Sequence, residues 1–207
     1  GTTRFPGGRQ AWCPSSPVFR QYTLALVDAV AERYGEHPAV ALWHVSNELG
    51  CHNALCYCDR SAAAFREWLR ARYGSIAALN RAWGTSFWSQ RYTDWDEIGT
   101  PRLTLSTRNP SQVLDFSRFS SDELLSYYRA EQAVIRRHSS VPITTNFMVT
   151  AHIRELDYWT WAPEVDVIAN DHYLDHRLED PAAELAFAAD LTRDQDRSLV
   201  YHLHTVQ

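Results

Sequence analysis

Residues 39–45 are a short apolar run, Ala-Val-Ala-Leu-Trp-His-Val, that stops at Ser46, Asn47 and Glu48. A run of this length bounded by polar residues predicts a strand buried on both faces. Its closing carboxylate would then stand at the carboxyl end of the strand, where parallel barrels keep their chemistry. Glu48 is thus a candidate general acid, although the dipeptide alone also fits a solvated strand end. Upstream, Ser16 and Pro17 predict a helix start, as N-cap and first-turn residue. Phe19, Tyr22, Leu26, Val27, Val30 and Tyr34 follow at helical spacing, and Gly35 ends the stretch. Downstream, Phe65, Leu69 and Tyr73 mark one face of a helix stopped by Gly74, and residues 75–83 predict another, closed by Gly84. Residues 85–108 read as a loop with four aromatics, a length that in compact domains more often serves function than not.

Pro110 begins a helical stretch reaching about His138, and residues 142–148 predict a second strand. A short helix is expected at 157–162. A third strand is expected at 165–169, running into Asn170, Asp171, His172 and Tyr173. Residues 181–191 predict an Ala-rich helix and 198–204 a fourth strand. Strand-helix alternation with crossovers this long implies parallel pairing. The first three strands end on polar groups (Asn47 and Glu48, Asn146, Asn170 to Tyr173), as a β/α barrel predicts. A doubly wound open sheet is the alternative, and the chain has no Gly-rich phosphate loop to support it. Four strands are half of an eight-stranded barrel, which typically needs about 250 residues. The 207 residues therefore read as one partial barrel domain, 1–207.

The formal charge of −5 is spread along the chain, with no basic patch for nucleic acid. No run approaches the roughly 18 apolar residues of a membrane span. A neutral substrate fits this balance better than a phosphorylated one. The chain has 8 Trp, 10 Tyr and 8 Phe. Most serve packing, but Trp88, Trp95 and Trp159, among Asn, Asp and Arg, also suit sugar faces. His44, His172, His202 and His204 are expected as hydrogen-bonded interior or strand-end residues. The Asp94 to Glu97 cluster reads as a solvated loop, and Glu164 and Asp166 flank a strand start, the stability end of a barrel. Four cysteines suggest no secreted disulfide framework.

Several ordered motifs go further. They are Arg9 with Cys13-Pro14-Ser15-Ser16-Pro17, and Trp43 through Gly50. Next come Cys56-Tyr57-Cys58, Phe65-Arg66-Glu67-Trp68-Leu69, Leu79 through Thr85, and Phe87-Trp88-Ser89. Tyr92-Thr93-Asp94-Trp95, Asp115-Phe116, Thr145 through Met148 and Asn170 through Tyr173 complete the series. From about residue 9 to residue 193 the chain resembles the catalytic domain of glycoside hydrolase family 42, the bacterial β-galactosidases. The resemblance implies strands four to seven of a (β/α)8 TIM barrel and a β-galactoside substrate cleaved with retention. It makes Glu48 the acid/base and places Arg9 and Asn47 against the sugar, Asn47 through the 2-hydroxyl. Tyr173 corresponds to a tyrosine that hydrogen-bonds the nucleophile in related barrels.

The resemblance also implies homotrimers and a structural zinc held by four cysteines, and a cytoplasmic location is expected. Cys13, Cys56 and Cys58 match three of the zinc ligands, while the fourth position is Ser61; Cys51 or His52 could substitute, and free thiols are the alternative. Retaining hydrolysis needs two carboxylates about 5 Å apart. The nucleophile is expected on the strand at 198–204, which has no Asp or Glu, and Asp194 and Asp196 precede that strand. The chain is therefore expected to stop or change frame before its second carboxylate and to be inactive alone. A different retaining glycosidase of the same clan and a non-catalytic sugar-binding remnant remain as alternatives.

Overall fold

The computed structural model of the protein describes residues 8–149, 156–174, 177, 179–195 and, as backbone, 199–205. In chain order the elements are α1 (Pro17–Tyr34), β1 (Trp43–His44), α2 (Asp59–Tyr73), α3 (Ile76–Trp83) and α4 (Pro110–Ile135). β2 (Ile143–Thr144), β3 (Asn146–Phe147), α5 (Tyr158–Trp161), β4 (Ile168–Leu174), α6 (Pro181–Gln195) and β5 (Leu199–Thr205) follow. The helix starts obey local chemistry. Ser16 Oγ accepts from Phe19 N at 3.2 Å, Ser75 Oγ from Ala78 N at 3.2 Å, and Asn109 Oδ1 from Ser111 N at 2.9 Å. Gly84, in the left-handed region at φ 62°, ends α3 as the sequence requires.

Gly35 serves α1 differently. Its φ is −57°, so no left-handed stop is made, and a Cβ there would overlap the carbonyl oxygen of His138. Close approach to the chain beyond α4 is the reason for glycine at this position. The single core-facing stripe expected of α1 also needs correction. Phe19, Val27 and Ala31 pack inward, whereas Tyr22, Leu26, Val30 and Tyr34 are exposed, Tyr22 at 72%. The fully buried Ala31, small enough for helices to approach closely, fixes the side that α1 turns toward α4.

Every ladder is parallel: Trp43 pairs with Ile143, Asn146 with Ala169, and Ile168–Leu174 with Leu199–Thr205. The strand expected at 142–148 divides at Thr145, where its partner changes from β1 on one side to β4 on the other. The first strand is shorter than the apolar run, and it is not buried on both faces: His44 is exposed and Leu42 is 39% exposed. β1 pairs only with β2 among the described residues. The third strand begins at Ile168 rather than 165. Before it, Asp166 is tied down: its amide donates to Ile143 O at 3.0 Å and its carboxylate accepts from Ile143 N at 2.6 Å. The fold is an α/β arrangement on two parallel ladders, β1-β2 and β3-β4-β5, that meet at Thr145, and among the described residues they do not close into a barrel.

Two apolar clusters hold it together. One joins the sheet to α1, α4 and α5 through Leu124, Tyr128, Ile143, Phe147 and Trp161. The other lies among α2, α3 and the first half of α4, around Phe65, Leu69, Leu79 and Phe116. α4 spans both, which makes it the mechanical link between them. The 85–108 segment folds over the second cluster with Ile98 fully buried, and Arg66 Nε donates to Ile98 O at 2.7 Å. Its Asp94 forms a capping box with Glu97, the exposed loop the sequence suggested. No described helix is long and apolar enough to cross a membrane.

Candidate active site

Glu48 follows β1 in a turn whose backbone is held under constraint. Ser46 and Glu48 both have left-handed φ values, 55° and 48°, a conformation costing non-glycine residues about 1–2 kcal/mol. Neighbours hold the turn in place. Asn146, on β3, accepts from Glu48 N through Oδ1 at 2.7 Å, and Gln10 Nε2 donates to Asn47 O at 2.8 Å. From below, Ser46 Oγ donates to Glu131 Oε2 of α4 at 2.9 Å. The side chain of Glu48 is consequently fixed and only 4% exposed.

Its carboxylate is met from two sides. Arg9 Nη2 donates to Oε2 at 2.7 Å, and the Tyr173 hydroxyl donates to Oε1 at 3.2 Å. Burial, and after it the charge of Glu48, raise the pKa of Tyr173, so the phenol stays a donor. Asn47 stands beside them, exposed, with Oδ1 accepting from Asn146 Nδ2 at 3.3 Å. The structure thus brings Arg9, Asn47, Glu48 and Tyr173 together as the sequence reading grouped them. Tyr173, however, bonds the acid/base candidate itself, not a nucleophile. A cleft of about 440 Å³ opens beside this group, lined by Arg9, Asn47, Ser46, Glu131, Trp12 and Phe19. Glu48 does not line it, because Arg9 lies against the carboxylate. A larger crevice of about 1210 Å³ lies among Gly35, His37, Arg136 and His138, at the other end of the strands, and holds no candidate catalytic residue.

Four participants escaped the sequence reading as site residues. Asn146 was visible as a polar strand end. Asp171 is 5% exposed and accepts from Asn146 Nδ2 at 2.5 Å; strand alternation, which puts it on the face of Tyr173, could have found it. Gln10 and Glu131 carry no such signal. Glu131, 3% exposed, also accepts from the Tyr127 hydroxyl at 2.9 Å. Burial raises its carboxyl pKa, and the bonds from Tyr127 and Ser46 oppose that rise.

Other expectations fare differently. His172 is 1% exposed with neither ring nitrogen hydrogen-bonded among the described residues, which corrects the bonded role expected of it. Alternation puts it on the sheet side opposite Asp171 and Tyr173, away from the polar site. The side chains of His202 and His204, and Asp196, lie outside the described residues. Trp95 packs on the second cluster beneath Arg70, whereas Trp88, stacked on Phe87 at 4.6 Å, is 62% exposed and Trp159 53% exposed. Glu164 and Asp166 pair with Arg129 and Arg136 at the strand starts, as expected.

The cysteines form a separate group. Cys58 Sγ lies 3.5 Å from both Cys56 Sγ and Cys13 Sγ, and Ser61 Oγ lies 3.4 Å from Cys13 Sγ. Hydrogen bonding from Cys13 holds the Cys56 thiol down to about 5, while the same bond pushes Cys13 far above the ordinary thiol range. Cys51 and His52 do not complete this cluster. They stand with Glu48 instead, which removes them as substitutes for the fourth zinc position.

The sequence profile of glycoside hydrolase family 42, described as beta-galactosidase, matches residues 1–203. A beta-galactosidase of an Arthrobacter species is 53% identical over 194 residues, covering 93% of this chain and 28% of that protein. Beta-galactosidase BbgII of Bifidobacterium bifidum is 47% identical over 194 residues, covering 92% of this chain and 28% of that protein. The crystal structure of beta-galactosidase from Bacillus circulans sp. alkalophilus superposes with a TM-score of 0.83 at 41% identity, over 91% of this chain and 28% of that one. The chain thus spans about 28% of the length of these relatives. On the profile match and the shared fold, this chain belongs to glycoside hydrolase family 42.

Proposed function

We propose that this chain supplies the proton-donating half of a retaining β-galactosidase site, with Glu48 as its acid/base. The observation that carries the reading is Glu48 itself, a buried carboxyl fixed at the end of a parallel strand and met by Arg9 and Tyr173. Protonated, Glu48 gives its proton to the departing glycosidic oxygen; ionised, it then takes one from the water that completes hydrolysis. Asn47, exposed beside it, would bond the 2-hydroxyl, a contact that strengthens in the transition state. Arg9 and the tyrosine hydroxyl stabilise the carboxylate between the two steps. In a (β/α)8 barrel these strands would be the fourth to seventh.

The partner carboxylate should lie about 5 Å away. Residues 199–205 include no Asp or Glu, so β5 does not supply it. The chain by itself is therefore proposed to bind galactose without turning over galactosides. Calorimetric titration with galactose and an aryl β-galactoside assay test this. Binding lost in Arg9→Ala and Asn47→Ala, with no turnover, is the expected result. Turnover abolished by Glu48→Gln would refute the missing nucleophile, and absence of any binding would refute the sugar site. Trimer formation, implied by family resemblance, is a further proposal that light scattering tests.

Cys13, Cys56 and Cys58 are proposed to hold a structural zinc. Zinc–sulfur bonds of about 2.3 Å place tetrahedral thiolates roughly 3.8 Å apart, near the 3.5 Å seen here. The ion would tie the segment before α1 to the start of α2. Metal release from the reduced chain should include one zinc equivalent that is lost in Cys56→Ser; zinc-free protein overturns the assignment.

A further inference from the structure

We propose that Glu48, Cys51 and His52 form a second site, for a thiophilic divalent cation such as zinc or cadmium, directly on the proton donor. Their ligand atoms lie within 4.8 Å of one another. The Cys51 sulfur and His52 Nε2 are 3.6 Å apart. With metal–sulfur and metal–nitrogen bonds of about 2.3 and 2.0 Å, tetrahedral coordination separates those atoms by roughly 3.5 Å. The pair thus already has the spacing a metal requires. The three burial levels suit an ion entering from solvent: Glu48 is buried, Cys51 half-buried and His52 exposed. One carboxylate, one thiolate and one imidazole form a borderline-soft donor set that favours zinc-like ions over magnesium or calcium.

Binding is an exchange of counter-ions. Arg9, whose side chain is 60% exposed, releases Oε2 of Glu48 to solvent-side freedom, and the metal takes its place. The Cys51 thiol gives its proton to solvent as its sulfur joins the metal; no electron transfer is involved. Backbone constraint favours the site, since Gln10 and Asn146 already hold the turn that carries the carboxylate. Because the metal takes the carboxylate that carries the proton, an occupied site cannot act as a general acid. That inhibitory consequence rests on the proposed role of Glu48, whereas the binding does not.

Cadmium titration of the reduced chain, followed by thiolate-to-metal absorption and cadmium NMR, tests the binding directly. Two resonances are expected, one from the Cys13, Cys56 and Cys58 cluster and one from a site with a single sulfur. Cys51→Ser should remove the second resonance and leave the first. His52→Ala, at an exposed position that leaves the fold undisturbed, should weaken the second site by at least the roughly 10–100-fold that loss of an outer hydrogen-bond partner costs. Arg9→Gln should tighten it by removing the competing cation. A single-sulfur resonance unaffected by both Cys51→Ser and His52→Ala, or no such resonance in the wild-type chain, overturns the proposal. Neither result bears on galactose binding, which is read separately.

Discussion

Replacing Asn146 by alanine removes one amide that serves three partners at the site. Oδ1 accepts from Glu48 N at 2.7 Å, while Nδ2 donates to Asp171 at 2.5 Å and to Asn47 at 3.3 Å. Asn146, Glu48 and Asp171 are each at most 5% exposed, so water replaces little of what is lost. An unpaired buried amide costs about 1–3 kcal/mol, and a hydrogen bond to a charged group contributes about 1.5–3 kcal/mol. The bond to the exposed Asn47 adds little. Asn146→Ala should therefore lower unfolding stability by about 3–5 kcal/mol, a large part of the roughly 5–15 kcal/mol typical of a domain. Urea unfolding at neutral pH measures it through the midpoint at unchanged slope. A loss below about 0.5 kcal/mol, the range of ordinary surface changes, would refute the anchoring role.

Asn146→Asp sharpens the same test. The acceptor for Glu48 N survives, but the donor to Asp171 becomes a second carboxylate, and two such groups in contact cannot both ionise cheaply. One of the pair has its pKa raised in the folded state, so its stabilising contribution is present at low pH and lost as pH rises. The aspartate variant should approach wild-type stability in acid and fall away toward neutrality. Equal destabilisation at both extremes would point to a packing defect.

Further outcomes follow from the rest of the structure. Burial holds Glu131 above its ordinary value of 4.5, so the folded chain binds that proton more tightly than the unfolded one. Its contribution is fully present below about 4.5 and is lost as pH rises through the folded value; urea midpoints should show Glu131→Gln gaining on wild type across that window, and a pH-independent difference refutes the assignment. Asp115 is 1% exposed and accepts from Trp83 Nε1 at 2.8 Å and from the Tyr73 hydroxyl at 2.5 Å. Asp115→Ala, which loses two hydrogen bonds to a buried carboxylate, should cost about 3–5 kcal/mol and lower the Tyr73 pKa, which burial and then Asp115 raise, as followed by phenolate absorbance. Leu79→Ala, at a fully buried position, should cost about 2–5 kcal/mol. Leu103→Ala, 60% exposed, should stay within about 0.5 kcal/mol in the same urea unfolding.

Local order along this chain was written in the sequence by itself. Ser16 announces its helix because a cap acts on amides two or three residues away. Phe65 and Leu69 share a buried face because helical periodicity puts them there. The end of the apolar run located Glu48, and the ordered motifs located Arg9, Asn47, Tyr173 and the three cysteines. What tertiary structure alone decided involves partners far apart in the chain. Glu48 meets Arg9 across 39 positions, Asn146 across 98 and Tyr173 across 125. The break at Thr145, the exposed side of α1 and the burial of Glu131 all depend on which surfaces meet. Burial and hydrogen-bond partnership are properties of packed surfaces, and no window of neighbouring residues encodes them.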